Sequence, residues 1–247
     1  MNKNMDVHHH QAKKKSFPEH LFEFFMLFLA VTLGFFVENI REHLIENNRE
    51  TDYMRSIAED LKQDIYQLDS IIARRTTKNE MMDSILYLLD YTNPNEHGSD
   101  IYYYARWLPR TYRFITNDRT VLQLNAGNWR LIRNKKVSDA LLNYTEMVRL
   151  LGGYIEQREE SLTILMYPSL NKLFDNRVFE KMINGLSFER PSGNPQLLST
   201  DRTAINEFCN QVQFSQNSNL YFTTTAKKLV SNARETLEIL RKEYNLK

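Results

Sequence analysis

Phe24-Phe-Met-Leu-Phe-Leu-Ala-Val-Thr-Leu-Gly-Phe-Phe-Val37 is the stretch on which the reading of this chain turns. It carries no charge, and extended back to Leu21 it is interrupted only by Glu23. A helix rises about 1.5 Å per residue, so Leu21 to Val37 covers roughly 25 Å, close to the hydrocarbon thickness of a bilayer. Phe17 and Ile40 carry the apolar character towards the two interfaces, and Lys15 and Arg41 can snorkel from the ends. The Phe and Leu side chains would occupy every side of the helix, whereas a buried core helix normally keeps a polar stripe. Lys13-Lys14-Lys15 before an apolar run also fits the start of a cleaved secretory signal, but Val37-Glu38-Asn39-Ile40-Arg41 offers no small-residue cleavage pattern. An uncleaved anchor across residues 18–40, with the lipid bilayer as its first partner, is therefore expected.

Upstream, residues 1–17 form a basic tail with His8-His9-His10 in its middle. Three consecutive histidines in a tail make a poor fixed coordination sphere, so no metal site is expected. Lys3 and Lys13 to Lys15 precede the span, while Arg41, Arg49 and Arg55 beyond it are interleaved with Glu38, Glu42, Glu46 and Glu50. The positive-inside rule then puts the N-terminus in the cytoplasm and the remaining chain outside it.

Within the span, Glu23, Leu27, Ala30, Gly34, Val37 and Arg41 follow 4-3-4-3-4 spacing and share one face. Ala30 and Gly34 lie four apart, a small-xxx-small pair that lets membrane helices approach closely. Glu23, Leu27, Ala30 and Gly34 are the candidate helix–helix interface, towards a second copy or another membrane protein. An ionisable Glu23 inside an apolar segment is costly, and pairing with His20 one turn away would relieve it.

Residues 41–92 read as a juxtamembrane stalk and helices. Met54, Ile57, Leu61, Ile65, Leu68 and Ile72 recur at helical spacing. The stripe lapses between Ile45 and Tyr53, which marks a polar turn or weak point. Thr77-Lys-Asn-Glu80 has the form of a capping box and suggests a new helix from Lys78 to Tyr91, ended by Asn93-Pro94-Asn95.

Glu23, the apolar run with Ala30, then Asn39-Ile40-Arg41-Glu42, resemble an uncharacterised bacterial family of small single-pass membrane proteins. That family opens its span with Glu and leaves it through an Asn-Asn-Trp-Asn-Glu-like exit. Glu38 and Ile40 stand where it has Asn and Trp. Leu124-Asn-Ala-Gly127, Leu131-Ile132-Arg-Asn134, Leu141 and Tyr144 resemble its second motif. The resemblance covers about 60 residues. It implies a bacterial inner-membrane location with a periplasmic helical domain; the family has no established activity, so no mechanism follows.

Residues 93–247 are expected to form that extracytoplasmic α-helical domain. Ile101 to Phe114 is its most aromatic stretch, with Arg106, Arg110 and Arg113 interleaved. Tyr103, Arg106, Trp107 and Arg110 are the candidate ligand or partner face, through stacking and guanidinium contacts. The alternative is a packed segment, since aromatics mostly supply core area. Helices are expected at Arg119 to Ala126, capped by Asn117 or Asp118 and ended by Gly127; at Lys135 to Leu165, bent or interrupted at Gly152-Gly153; at Ser169 to Met182, after a break at Pro168; at Asp201 to Val212; and at Asn219 to Tyr244. Trp129, Leu131 and Ile132 read as a buried connector. Gly185 to Pro195 holds two Gly and two Pro and is the clearest loop.

The composition sets limits on function. Net charge is +1, so no global field recruits nucleic acid. Seven Gly and six Pro are too few for a turn-rich all-β fold. Cys209 is the single cysteine, which excludes an intrachain disulfide, and with no basic neighbour it is expected to be buried and inert. No histidine follows His97, so a Ser–His or Cys–His pair is hard to build in the domain. No zinc spacing or phosphate loop occurs, and no cofactor is expected. Glu156, Glu159 and Glu160 read as a solvated helix face. The expectation is an all-α chain, one N-terminal membrane helix continuing into a helical bundle. Its expected role is a non-catalytic interaction or accessory subunit. The alternatives are an ion-driven motor subunit using Glu23, and a periplasmic ligand-sensing domain.

Overall fold

The computed structural model describes residues 16–124 and 129–246. The fold is all-α, and the chain divides into two compact units with the boundary between Glu50 and Thr51. Helix α1, Phe17–Tyr91, contributes to both. In the first unit it carries one window long and apolar enough to cross a membrane, and none of that window is buried. Thr32 donates its hydroxyl to the Phe28 carbonyl at 2.8 Å, so the one polar side chain of the uncharged run is satisfied within its own helix.

The second unit is built from three long helical segments. α1 contributes residues 51–91. Helix α4, Lys135–Arg149, passes through a π-helical stretch, Leu150–Ile155, into helix α5, Glu156–Leu173. Helix α7 is Arg202–Tyr244. Asp64 meets Tyr144 and Arg75 meets Glu159, so α1 runs parallel to α4–α5. Arg234 meets Asp69 and Gln216 meets Asp83, so α7 runs antiparallel to α1. Short elements complete the unit: α2, Gly98–Trp107; α3, Arg119–Gln123; α6, Asn176–Lys181; and a hairpin of β1, Ile183–Asn184, with β2, Ser187–Phe188, turned at Gly185 with φ 59°.

In the second unit the buried residues of α1 are Met54, Ile57, Leu61, Asp64, Leu68, Ile71, Arg75, Lys78, Met82, Ile85 and Leu89 along one strict 3-4 repeat, with Ala58 beside them. That is a heptad seam, the spacing that keeps one face of a long helix towards its neighbours. α7 answers with Ile205, Phe208, Val212, Ser215, Asn219, Phe222, Ala226, Leu229 and Ala233. The seam fills two apolar clusters. One runs from Met54 to Ile71, Val137 to Ile155 and Phe222 to Leu240. The other runs from Met82 to Leu108, Met166 to Met182 and Ile205 to Val212. On each long helix the residues between the clusters are polar: Arg75 and Lys78, Glu159, and Ser215 to Asn219.

Several expectations need correction. α1 continues through 45–53 and through Thr77, because Arg75, Lys78 and Met82 on either side of Thr77 all point into the core and a helix start there would misalign them. The seam also takes Asp64 and Ile71, while Ile65 and Ile72 are only partly buried. Pro168 lies inside α5, where the flanking Met166, Ser169, Leu170 and Leu173 are buried; the lost backbone bond is offset by packing. The segment after it does not run to Met182, since α5 stops at Leu173 and Asp175 caps a separate α6 by accepting from the Arg177 amide at 2.9 Å. The polar run 213–218 does not divide α7, because Ser215 and Ser218 face inwards. Asp118 precedes α3 without a side-chain capping bond, and the expected end at Ala126 and Gly127 lies outside the described residues. Ile132 is buried, with Trp129 half-buried. Gly152-Gly153 widen the helix into its π-helical turn and do not interrupt it.

Candidate functional site

The polar layer between the two clusters is centred on Arg75, which is fully buried. Its Nη1 and Nη2 donate to Glu159 Oε1 and Oε2, each at 2.8 Å, the bidentate geometry that suits a guanidinium and a carboxylate. Nη1 also donates to Asn219 Oδ1 at 2.9 Å, and Nε to the Tyr112 carbonyl at 3.1 Å. Its guanidinium carbon lies 3.5 Å from the centre of the Phe222 ring. Asn219 returns its amide to the Arg75 carbonyl at 2.8 Å and to Asn79 Oδ1 at 2.7 Å. Every strong donor of Arg75 is therefore used, as a buried charge requires.

Lys78 lies one turn on, also buried, and donates to the Arg110 carbonyl at 2.7 Å. Burial pushes its amine down to about 8; the Glu159 carboxylate opposes this and the Arg75 charge adds to it. Glu156 accepts the Phe114 amide at 2.8 Å, and burial raises its carboxyl above the usual range against that bond and the charges of Arg75 and Arg113. Glu160 is exposed and pairs with Arg113 at 2.9 Å. The expectation of a solvated face thus holds for Glu160 alone, because Arg75 arrives from α1 to claim Glu159.

A second polar node lies further back along α1. Asp64 is buried and accepts from Thr116 Oγ1 at 2.8 Å, the Asn117 amide and Nδ2 at 2.9 Å, and Tyr144 Oη at 2.6 Å. Burial and the adjoining Asp64 charge hold the Tyr144 phenol well above its ordinary value. Both nodes fasten the irregular segment 108–118 to the bundle.

The aromatic–Arg segment is largely turned onto the protein itself. Arg106 stands over the rings of Phe179 and Phe188, at 5.3 and 4.8 Å from their centres. Arg110 stands over Trp107 and Phe188 at 5.4 and 4.5 Å. Tyr103 packs edge-on against Trp107 and lies under Arg190, which also pairs with Asp100. Tyr103, Arg106, Trp107 and Arg110 therefore sit together with the hairpin as one packed group. Two of its donors, Arg106 Nε and Trp107 Nε1, are buried without a hydrogen-bond partner among the described residues.

Trp107 also walls a cavity of about 190 Å3, together with Arg74, Thr77, Lys78, Met81 and Tyr112. A wider groove of about 810 Å3 shares Arg74 and Tyr112 with it and is bordered by Lys62, Tyr66, Gln67 and Arg113. Sequence reasoning selected Trp107 through its aromatic neighbours and missed Arg74, Lys78, Arg75 and Asp64. For Asp64, Arg75 and Lys78 the signal was the unbroken 3-4 repeat, which passes through charged positions; Arg74 is exposed and lies off that repeat. Cys209 is buried as expected, and burial pushes its thiol up to about 12.

In the first unit, Glu23, Leu27, Ala30 and Gly34 lie exposed on α1. Glu23 Oε2 is 3.9 Å from His20 Nδ1. A methyl group added at Gly34 would meet nothing within 4 Å. Among the described residues no group of His, Cys, Asp and Glu could hold a metal ion. Comparison with protein-family models, with curated proteins and with solved structures found no match to this chain.

Proposed function

We propose that this is a membrane-anchored interaction protein, a non-catalytic accessory subunit of a membrane protein complex. Its anchor spans the bacterial inner membrane once, with the N-terminus in the cytoplasm and the helical domain in the periplasm. The observation that carries this reading is a contrast in burial. The apolar window of α1 is wholly exposed, whereas the second unit buries its own apolar residues in two clusters. Exposed Phe and Leu on every side of a helix call for lipid. The exposed Ala30 and Gly34 support close approach by another span. The buried Arg75–Glu159 pair supports a scaffold role, since its donors are consumed in holding helices together.

Single cysteines at Asn4 and Asn194 test the topology with a membrane-impermeant thiol reagent. Cys209 is buried with a raised pKa and stays silent. Labelling at Asn194 alone in intact cells is expected; labelling at Asn4 would reverse the orientation, and release of the protein by carbonate would remove the anchor. Proteins that co-purify in mild detergent then identify the complex. The motor alternative predicts that Glu23→Gln abolishes a proton-coupled activity while assembly persists.

A further inference from the structure

We propose that Arg74, Lys78 and Trp107 form a binding site for a phosphate monoester, with the rest of the ligand lying in the adjoining groove along Tyr112 and Tyr66. The site goes beyond the anchor reading and does not depend on it.

The cavity wall carries cationic and indole donors and no carboxylate. The cavity holds about 190 Å3, the volume of roughly six liquid waters. None of the residues that wall it is Asp or Glu. Lys78 has three N–H donors and spends one, on the Arg110 carbonyl. The Trp107 indole N–H is buried and has no acceptor among the described residues. Buried donors without acceptors are costly, so a wall that keeps an unpartnered indole N–H and the spare N–H bonds of an ammonium calls for an occupant that accepts. Arg74 makes no ion pair or hydrogen bond among the described residues, and its guanidinium lies over the Tyr112 ring at 5.8 Å. The polar layer behind the cavity is closed, since Glu159 is bound to Arg75 on both oxygens. Two cations that bond no carboxylate among the described residues, with an indole N–H in the same wall, match a dianion better than a single carboxylate.

The surroundings favour an organic phosphate over the free ion. The cavity continues into the wider groove through Arg74 and Tyr112, and there Tyr66 is exposed with Ile71 nearby. The other cations of that groove are engaged: Lys62 with Glu59 at 2.7 Å and Arg113 with Glu160 at 2.9 Å. Charge is therefore concentrated at one end and aromatic surface at the other. Burial holds the Lys78 amine near 8, so it is charged at neutral pH, and an anion beside it would raise that value.

The test is calorimetric titration of the full chain in detergent with phenyl phosphate, inorganic phosphate and phenylacetate. Phenyl phosphate is expected to bind saturably, inorganic phosphate more weakly, and phenylacetate about tenfold or more weakly than phenyl phosphate. Arg74→Gln, at an exposed position that leaves the fold intact, should weaken phenyl phosphate about tenfold, the loss of one charge-assisted contact. Trp107→Phe keeps a ring and removes the N–H, and should weaken it several-fold. Lys78→Met should abolish binding, with circular dichroism to confirm the fold. No saturable binding of phenyl phosphate at millimolar concentration overturns the site. So does binding that Arg74→Gln leaves unchanged. Tighter binding of phenylacetate overturns the phosphate assignment.

Discussion

Arg75 and Glu159 lie 84 positions apart in the chain, yet they meet through two 2.8 Å bonds with both side chains buried between the apolar clusters. Such a pair sets register: with Asn219 it allows one alignment of α1, α5 and α7, which apolar contacts alone would not single out. Removing one partner leaves a buried charge unpaired. Arg75→Met and Glu159→Met are each expected to cost about 3–5 kcal/mol. The double variant should cost less than the sum by about 2 kcal/mol or more. Urea denaturation of the four proteins measures this; strict additivity would mean that the pair is not coupled.

The pH dependence of Lys78 follows from its environment, Arg75 on its own helix and Glu159 across from α5. Its folded pKa of about 8 lies below the ordinary 10.5. Between those values the unfolded chain holds the proton and the folded chain does not, so this group makes stability rise with pH across that window. Burying the charged amine below pH 8 costs roughly 3 kcal/mol. The stability of the wild type minus that of Lys78→Met should therefore climb between pH 8 and 10.5. A flat difference would show that the amine titrates normally.

Two glycine-to-alanine changes should act with opposite signs. A Cβ at Gly98 would lie 1.9 Å from the Pro195 carbonyl oxygen, against the loop that accepts the Gly98 amide at Asn194 Oδ1, 2.6 Å away. Gly98→Ala should cost about 1–3 kcal/mol and open residues 189–200 to proteolysis. At Gly152 a Cβ meets nothing within 4 Å, inside a helix. Gly152→Ala should stabilise by about 0.5–1 kcal/mol. Thermal melts of the two variants side by side decide the matter.

Assembly through the proposed membrane helix is testable, because a Cβ added at Gly34 would meet nothing within 4 Å among the described residues. Gly34→Leu should leave the melting of the helical domain unchanged and abolish crosslinking of the proposed complex. Phe35→Leu, on another face, should not. Retention of the complex by both variants would move the contacts elsewhere.

The apolar run 24–37, the helical class and the loop containing Gly185 and Gly193 were legible from local pattern, because hydrophobicity, backbone freedom and helix propensity act within a few residues. The same local rules misplaced the ends of helices at Thr77, Pro168 and 213–218, where buried neighbours on both sides outweigh a weak local signal. They also gave solvent to Glu159 and passed over Asp64, Arg75 and Lys78. A charged side chain read alone belongs in water; what admits it to a core is a partner. Those partners come from Tyr144, from Arg110 and, for Arg75, from Glu159 and Asn219 on two other helices. Short-range chemistry therefore determined that this chain makes long helices and one exposed apolar segment, while the choice of which charges turn inwards was made only by distant groups meeting in the folded bundle.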